Sequence, residues 1–260
     1  MKIIVVTGAS SGMGRVFAHE LAKKHKPDEM WLIARRENRL RELAEEISGE
    51  SGVKSRVMPL DLTDSRSLEI YREALEEAGA EISVLVNAGG FGKFGYHTAV
   101  DTSVSLNMID LNCKALLAMT DASLPHMTRG SQIYQLGSLS AFQPVPYLNT
   151  YAATKAFVLS YSRGLAAELR PKGIRVMAVC PGWVKTEFFG RAETSDKDAI
   201  TYFNRMYTPE EIVKTAIRDM ERGRGVSIHG LPIKLQVFAV KLLPVGLVMK
   251  IWLRQQGHNK

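Results

Sequence analysis

A chain of 260 residues with 45% hydrophobic and 23% charged side chains can bury a sizeable core, which excludes a disordered polyelectrolyte. Its two cysteines, Cys113 and Cys180, form no C-x-x-C pair, and its six histidines show no metal-ligand spacing; no disulfide framework and no metal site is expected, and a reducing cytoplasm fits. The net charge of +7 does not describe a nucleic-acid face, because five of those charges (Lys234, Lys241, Lys250, Arg254, Lys260) sit in the last thirty residues, which contain no Asp or Glu.

Strand-like runs at 2–7, 30–34, 53–58, 82–86, 131–136, 174–180 and 226–229 alternate with helix-like segments. The N-terminal run begins at once after Met1 and is too short for a signal peptide. Between the first run and the helical face of Met13, Phe17 and Leu21 lies T-G-A-S-S-G-M-G (7–14), a strand-to-helix turn with three glycines. Such a turn lets an anion approach the unpaired N–H groups and the positive dipole end of the helix that follows. Residues 35–47 place Leu40, Leu43, Ala44 and Ile47 on one face, as a surface helix does. Thr208, Pro209 and Glu211 spell a capping-box start for a helix reaching Met220. This alternation predicts an α/β fold: a Rossmann-type, doubly wound parallel sheet of about seven strands with helices on both faces, occupying 1–230 as one domain.

The segment Y151-A-A-T-K155 carries the chemistry. Four residues apart on a helix, the Lys155 ammonium stands beside the Tyr151 phenol and is expected to lower its pKa toward the range of a general acid/base. Thirteen residues before the tyrosine, at a strand end, Ser138 is placed to hydrogen-bond the same substrate oxygen.

With these residues in view the chain resembles the short-chain dehydrogenase/reductase family over about residues 1–230. The matches are T7-G8-A-S-S-G12-M-G14, D61-L62-T63, N87-A88-G89, Asn112, the Ser138, Tyr151 and Lys155 set, P181-G182, and Thr186. The resemblance implies a nucleotide held along Gly8, Ser10, Ser11, Gly12, Met13, Gly14, Asp61, Leu62, Asn87, Ala88, Gly89, Tyr151, Lys155, Pro181, Gly182, Val184 and Thr186. It implies that Tyr151 donates a proton to a carbonyl oxygen as hydride arrives from a nicotinamide, and that Ser138 stabilises the oxyanion. It also implies that Lys155 tunes the phenol and binds ribose, that Asn112 holds a water linking Lys155 to solvent, and that the chain assembles as a homodimer or homotetramer. One departure is Gly137, where the family often has a further serine.

The end of the second strand addresses cofactor choice. An NAD site would place Asp or Glu there to bind the ribose 2′-hydroxyl, whereas this chain has Arg35 and Arg36, which suit the 2′-phosphate of NADP. The expected enzyme is an NADP-dependent oxidoreductase interconverting a ketone and a secondary alcohol; the alternative is a catalytically silent NADP sensor or scaffold. Phe142, Val145, Tyr147, Trp183, Phe188 and Phe189 imply an apolar pocket for a steroid-like, acyl or aromatic substrate.

The extension 231–260 is divided by Pro244 into two amphipathic, helix-length pieces. It reads either as a lid packed over the substrate pocket or a subunit interface, or as an interfacial helix pair making peripheral contact with anionic lipid.

Overall fold

A computed structural model gives the structure of the chain, describing residues 1–188, 192, 200, 201, 203 and 205–258. Seven parallel strands, β1 (Lys2–Thr7), β2 (Glu29–Ala34), β3 (Lys54–Pro59), β4 (Glu81–Asn87), β5 (Gln132–Leu136), β6 (Arg175–Val179) and β7 (Val226–Ser227), form one sheet in the order β3-β2-β1-β4-β5-β6-β7. Strand order reverses between β1 and β4, and a crevice opens there beyond the carboxyl ends of the strands.

The helices that position the site are α1 (Gly12–His25), α2 (Glu37–Ser51), α3 (Ser65–Ala78), α4 (Thr102–Ile109), α5 (Leu116–Ser123), α6 (Asn149–Leu169), α7 (Pro209–Glu221), α8 (Leu231–Leu242) and α9 (Val245–Gln255). Successive strand residues feed opposite layers, as a pleated strand buried on both faces requires. Ile4, Val6, Leu32 and Val86 pack with Phe17 and Leu21 of α1, Leu40 and Leu43 of α2, and Val213 of α7. Ile3, Val5, Trp31 and Leu85 pack with Tyr71 and Leu75 of α3, Met119 of α5 and Leu165 of α6. Each fully buried side chain of this size contributes about 1.5–3 kcal/mol relative to exposure.

The strand boundaries read from sequence hold to within a residue, except that the last strand is two residues rather than four. Helix α2 runs four residues beyond the apolar stripe, to Ser51, because the stop is Gly52 in the left-handed conformation at φ 72° and not the end of the hydrophobic pattern. The capping box at Thr208 is present, with the Thr208 hydroxyl accepting from the Glu211 N–H and the Glu211 carboxylate accepting from the Thr208 N–H. Pro244 separates α8 from α9 as expected. A π-helical turn, Asp110–Ala115, joins α4 to α5 and was not legible in the sequence. Phe189 and Lys260 lie outside the described residues.

Candidate active site

The glycine turn sits at the switch point. Gly8 has φ 66°, and a Cβ there would stand 2.7 Å from the Ala88 carbonyl carbon and the Gly89 nitrogen, so only glycine lets β1 and β4 close together. Thr7 ties the same two segments, its Oγ1 accepting from the Ala88 and Gly89 N–H groups at 3.1 and 3.2 Å. Ser11, the N-cap of α1, is extended and makes no side-chain cap, and the first turn of α1 has no acidic residue. The orphan N–H groups of α1 therefore remain available to an anion. Around them lies a cleft of about 510 Å³ lined by Gly8, Ser10, Ser11, Gly12, Met13, Gly14, Arg35, Arg36, Asp61, Leu62, Ala88, Gly89 and Thr186. A nicotinamide dinucleotide fits this cleft on three counts: its volume, the bare helix N-terminus, and the glycine cradle that a Cβ would fill.

The electrostatics of the rim involve residues the sequence reading did not single out. Arg36 donates to Ser10 Oγ at 3.1–3.2 Å and to the Glu187 carboxylate at 2.8 Å, and Arg39 pairs with the same carboxylate. The hydrogen bonds from Arg39 and Arg36 hold the Glu187 carboxyl below the usual range. Arg35 faces Asp61 at 3.6 Å. Burial works to raise the Asp61 pKa, but hydrogen bonds from the Thr63 N–H and hydroxyl, with the charge of Arg35, leave it lowered. Asn87 is not in the cleft: its side-chain amide is buried behind it, donating to Thr120 and Gln135 at 3.0 Å.

Helix α6 carries Tyr151 and Lys155 toward the end of β5, which delivers Ser138. The Lys155 ammonium, almost fully buried, donates to the Leu136 carbonyl at 2.7 Å and lies 5.6 Å from the centre of the Tyr151 ring. Burial pulls the Lys155 pKa down to about 8. Burial also pushes the Tyr151 phenol up to about 12, against a hydrogen bond from Ser138 that favours phenolate. The expectation that Lys155 lowers the tyrosine pKa is therefore corrected: desolvation of the phenol dominates, and Lys155 directs its charge to the Leu136 carbonyl. Asn112 occupies the π-helical turn; its Oδ1 accepts from the Phe91 N–H at 3.0 Å, and its Nδ2 donates to the Phe91 carbonyl and Thr154 Oγ1 at 2.9 and 3.0 Å. Asn112 Oδ1 and Lys155 Nζ both border the space beside Gly90, 2.9 and 3.5 Å from where a Cβ would stand.

Gly137 has a steric reason. A Cβ at this position would meet Cys180 Sγ at 2.9 Å, so the buried sulfur occupies the volume that a serine side chain would need.

A second cavity, of about 160 Å³, contains Ser138, Tyr151, Lys155, Pro181, Gly182, Val184 and Thr186 and shares Met13, Gly90 and Phe188 with the nucleotide cleft. Val145, Trp183 and Phe188 line it as expected, but Phe142 and Tyr147 do not. Phe142 lies beneath Arg163 and Lys241, and Tyr147 packs on Tyr96 and His258. Part of the wall comes from the C-terminal extension. Gln236 of α8 and Trp252 and Gln255 of α9 line the cavity, and Trp252 Nε1 donates to the Pro146 carbonyl at 3.1 Å. The reading of this extension as a lid over the substrate pocket anticipates their place, but nothing in the sequence tells Trp252, which faces the cavity, from Phe238, which is exposed.

The family model of the short chain dehydrogenases matches residues 2–197. The chain is 36% identical over 214 residues to sulfoacetaldehyde reductase 2 of Chromohalobacter salexigens, covering 80% of this chain and 82% of that protein. It is 33% identical over 261 residues to the very-long-chain 3-oxoacyl-CoA reductase of Anas platyrhynchos, covering 96% and 78%. The solved structure of a short-chain dehydrogenase from Sphingobium yanoikuyae in complex with NADPH superposes with a TM-score of 0.81 at 31% identity, covering 95% of both chains. With its strand order, glycine turn and tyrosine–lysine helix, the chain belongs to the short-chain dehydrogenase/reductase family of oxidoreductases, which act on CH–OH groups with a nicotinamide nucleotide.

Proposed function

We propose that the protein is an NADPH-dependent reductase of hydrophobic ketones. The observation that carries this reading is the convergence of Ser138, Tyr151 and Lys155 on the wall of an apolar cavity that joins the nucleotide cleft. A phenol protonated at neutral pH can give its proton to a carbonyl oxygen, the step that carbonyl reduction requires. When bound, the dinucleotide supplies the hydride.

The remaining work falls to the chain. Tyr151 donates its hydroxyl proton to the substrate oxygen. Ser138 donates a hydrogen bond to that same oxygen and stabilises the charge that develops there. Lys155 binds ribose and returns the proton to Tyr151, and its position with Asn112 around the space beside Gly90 suits the water-linked path that the family resemblance gives Asn112. The turn residues Gly8 through Gly14 hold the phosphates, Asp61 and Leu62 border the adenine, and Thr186 with Pro181, Gly182 and Val184 orients the nicotinamide. Preference for NADP rests on Arg35 and Arg36 in the cleft, and is in keeping with the NADPH bound by the similar Sphingobium enzyme. Val145, Leu148, Trp183, Phe188 and Trp252 favour an apolar substrate. Leu106, Ile109, Leu117 and Phe157, exposed on α4, the π turn's flanks and α6, suit the helix-to-helix homodimer or homotetramer of the family.

The test is a panel of steroid-like, acyl and aromatic ketones with NADPH and NADH. Oxidation of NADPH by some members at rates well above NADH supports the proposal. Tight NADPH binding without turnover of any member would establish the silent sensor instead.

A further inference from the structure

Helices α8 and α9 have two unlike sides. The inner side is committed: Ile233, Val237 and Val248 are buried, and Gln236, Trp252 and Gln255 line the catalytic cavity. The outer side of α8 exposes Leu231, Leu235, Phe238 and Leu242 at 69, 59, 62 and 68% of their surface. Their spacing of four, three and four residues makes one helical stripe. On α9, Val245, Leu247 and Ile251 are likewise exposed. Exposed apolar side chains collected on one element, not scattered singly, mark a contact surface.

The charges around this surface indicate what it contacts. Lys234, Lys241, Lys250 and Arg254 are all exposed on the same two helices, and no acidic residue occurs anywhere in 231–260. A two-fold contact with a second copy would bring the same cations face to face, which is repulsive. An anionic lipid surface satisfies both features, with the leucine stripe entering the acyl boundary and the cations remaining with the headgroups. Among the described residues no helix is long and apolar enough to cross a membrane, so contact through this surface is peripheral.

We propose that the outer face of α8 and α9 docks on anionic membranes, and that the inner face of the same helices thereby holds the catalytic cavity close above the lipid. The cavity then draws on ketones dissolved in the bilayer. This last step rests on the reductase reading; the docking does not.

The experiment is sedimentation of the full chain with vesicles of phosphatidylcholine, alone or with about a third phosphatidylserine, at low and high salt. Three proteins are compared: the native chain, Leu235→Glu/Phe238→Glu, and Lys234→Gln/Lys250→Gln. The native chain is expected to pellet with anionic vesicles and to be released by salt. The apolar variant should lose at least about tenfold in partitioning. The lysine variant should lose about fivefold for each cation removed. Both should keep the native melting temperature and NADPH affinity, which separates lost docking from lost folding. Native chain that stays in the supernatant with anionic vesicles at low salt overturns the proposal. So does a Leu235→Glu/Phe238→Glu variant that only dissociates a dimer, which would make the face an interface between copies. Vesicle binding without turnover of any ketone would leave the docking standing and remove the reductase reading.

Discussion

Glu187 closes on Arg36 at 2.8 Å, so a carboxylate of the chain itself neutralises the positive rim of the nucleotide cleft. Arg39 shares that carboxylate. A 2′-phosphate bound by Arg36 must displace Glu187 or share its partner. Glu187→Gln should therefore tighten NADP(H) about three- to fivefold, the scale of an exposed ion pair, and leave NAD(H) unchanged. Arg36→Ala should weaken NADP(H) by roughly ten- to a hundredfold with little effect on NAD(H). Fluorescence titration of the four nucleotides reads both. Weaker NADP(H) binding by Glu187→Gln would instead make Glu187 a positioning partner of the arginines.

Tyr151→Phe removes only the acidic proton. Reductive turnover should fall at least about a hundredfold while nucleotide affinity stays near native. The phenol pushed up to about 12 also fixes the pH profile. Reduction needs the protonated form and should be flat through neutrality. Alcohol oxidation needs phenolate, so its rate should rise about tenfold for each pH unit in the neutral to mildly alkaline range. A flat oxidation profile measured where chemistry limits turnover would contradict that assignment.

Lys155 links the site to stability. Burial lowers its pKa from 10.5 to about 8 on folding. Between those values the unfolded chain holds a proton that the folded chain has released, so stability from this group rises with pH over that window and is constant below it. The span corresponds to about 3 kcal/mol. Lys155→Met should abolish this rise, with tyrosine and cysteine titrations common to both proteins cancelling in the difference. Urea unfolding of the two proteins from neutral pH to about 10 tests it; parallel stability profiles would count against the buried charge.

Much of this site was legible in the chain because its parts are local. The glycine turn, the Tyr151–Lys155 pair and the strand-end serine each declare themselves by spacing on a single element, and alternating apolar runs placed those elements in a doubly wound sheet. What stayed hidden depends on contacts between distant segments. Nothing in the sequence brings Glu187 to Arg36 across 151 residues, or Trp252 to the carbonyl of Pro146 across 106. The raised pKa of Tyr151 is hidden for the same reason: helical spacing supplies the neighbouring cation, but burial comes from distant residues such as Phe94, Trp183, Phe188 and Trp252 in one apolar cluster. Phe142 and Tyr147 failed as pocket residues because aromatic character near a site does not specify which way a loop side chain turns.

The Gly137–Cys180 contact explains a departure from the family pattern and can be tested by compensation. The sulfur is fully buried, and it lies 2.9 Å from the position of a Cβ on residue 137. Gly137→Ser alone should therefore force Ser138 aside, costing about 1–3 kcal/mol of stability, as overpacking of a tight interior does. It should also lower turnover, because the displaced residue is the one that lines the catalytic cavity with Tyr151. Cys180→Ala alone opens a small void and should destabilise modestly without changing the pH profile. Combined, the serine enters the space that the thiol vacates. The double variant should then be more stable than the sum of the single effects by about 0.5–3 kcal/mol and should recover most of the turnover. Urea melts and kcat on the four proteins of this cycle decide the matter. Strict additivity would mean that the Val179 carbonyl, 3.3 Å from the same Cβ position, and not Cys180, is what excludes a side chain there.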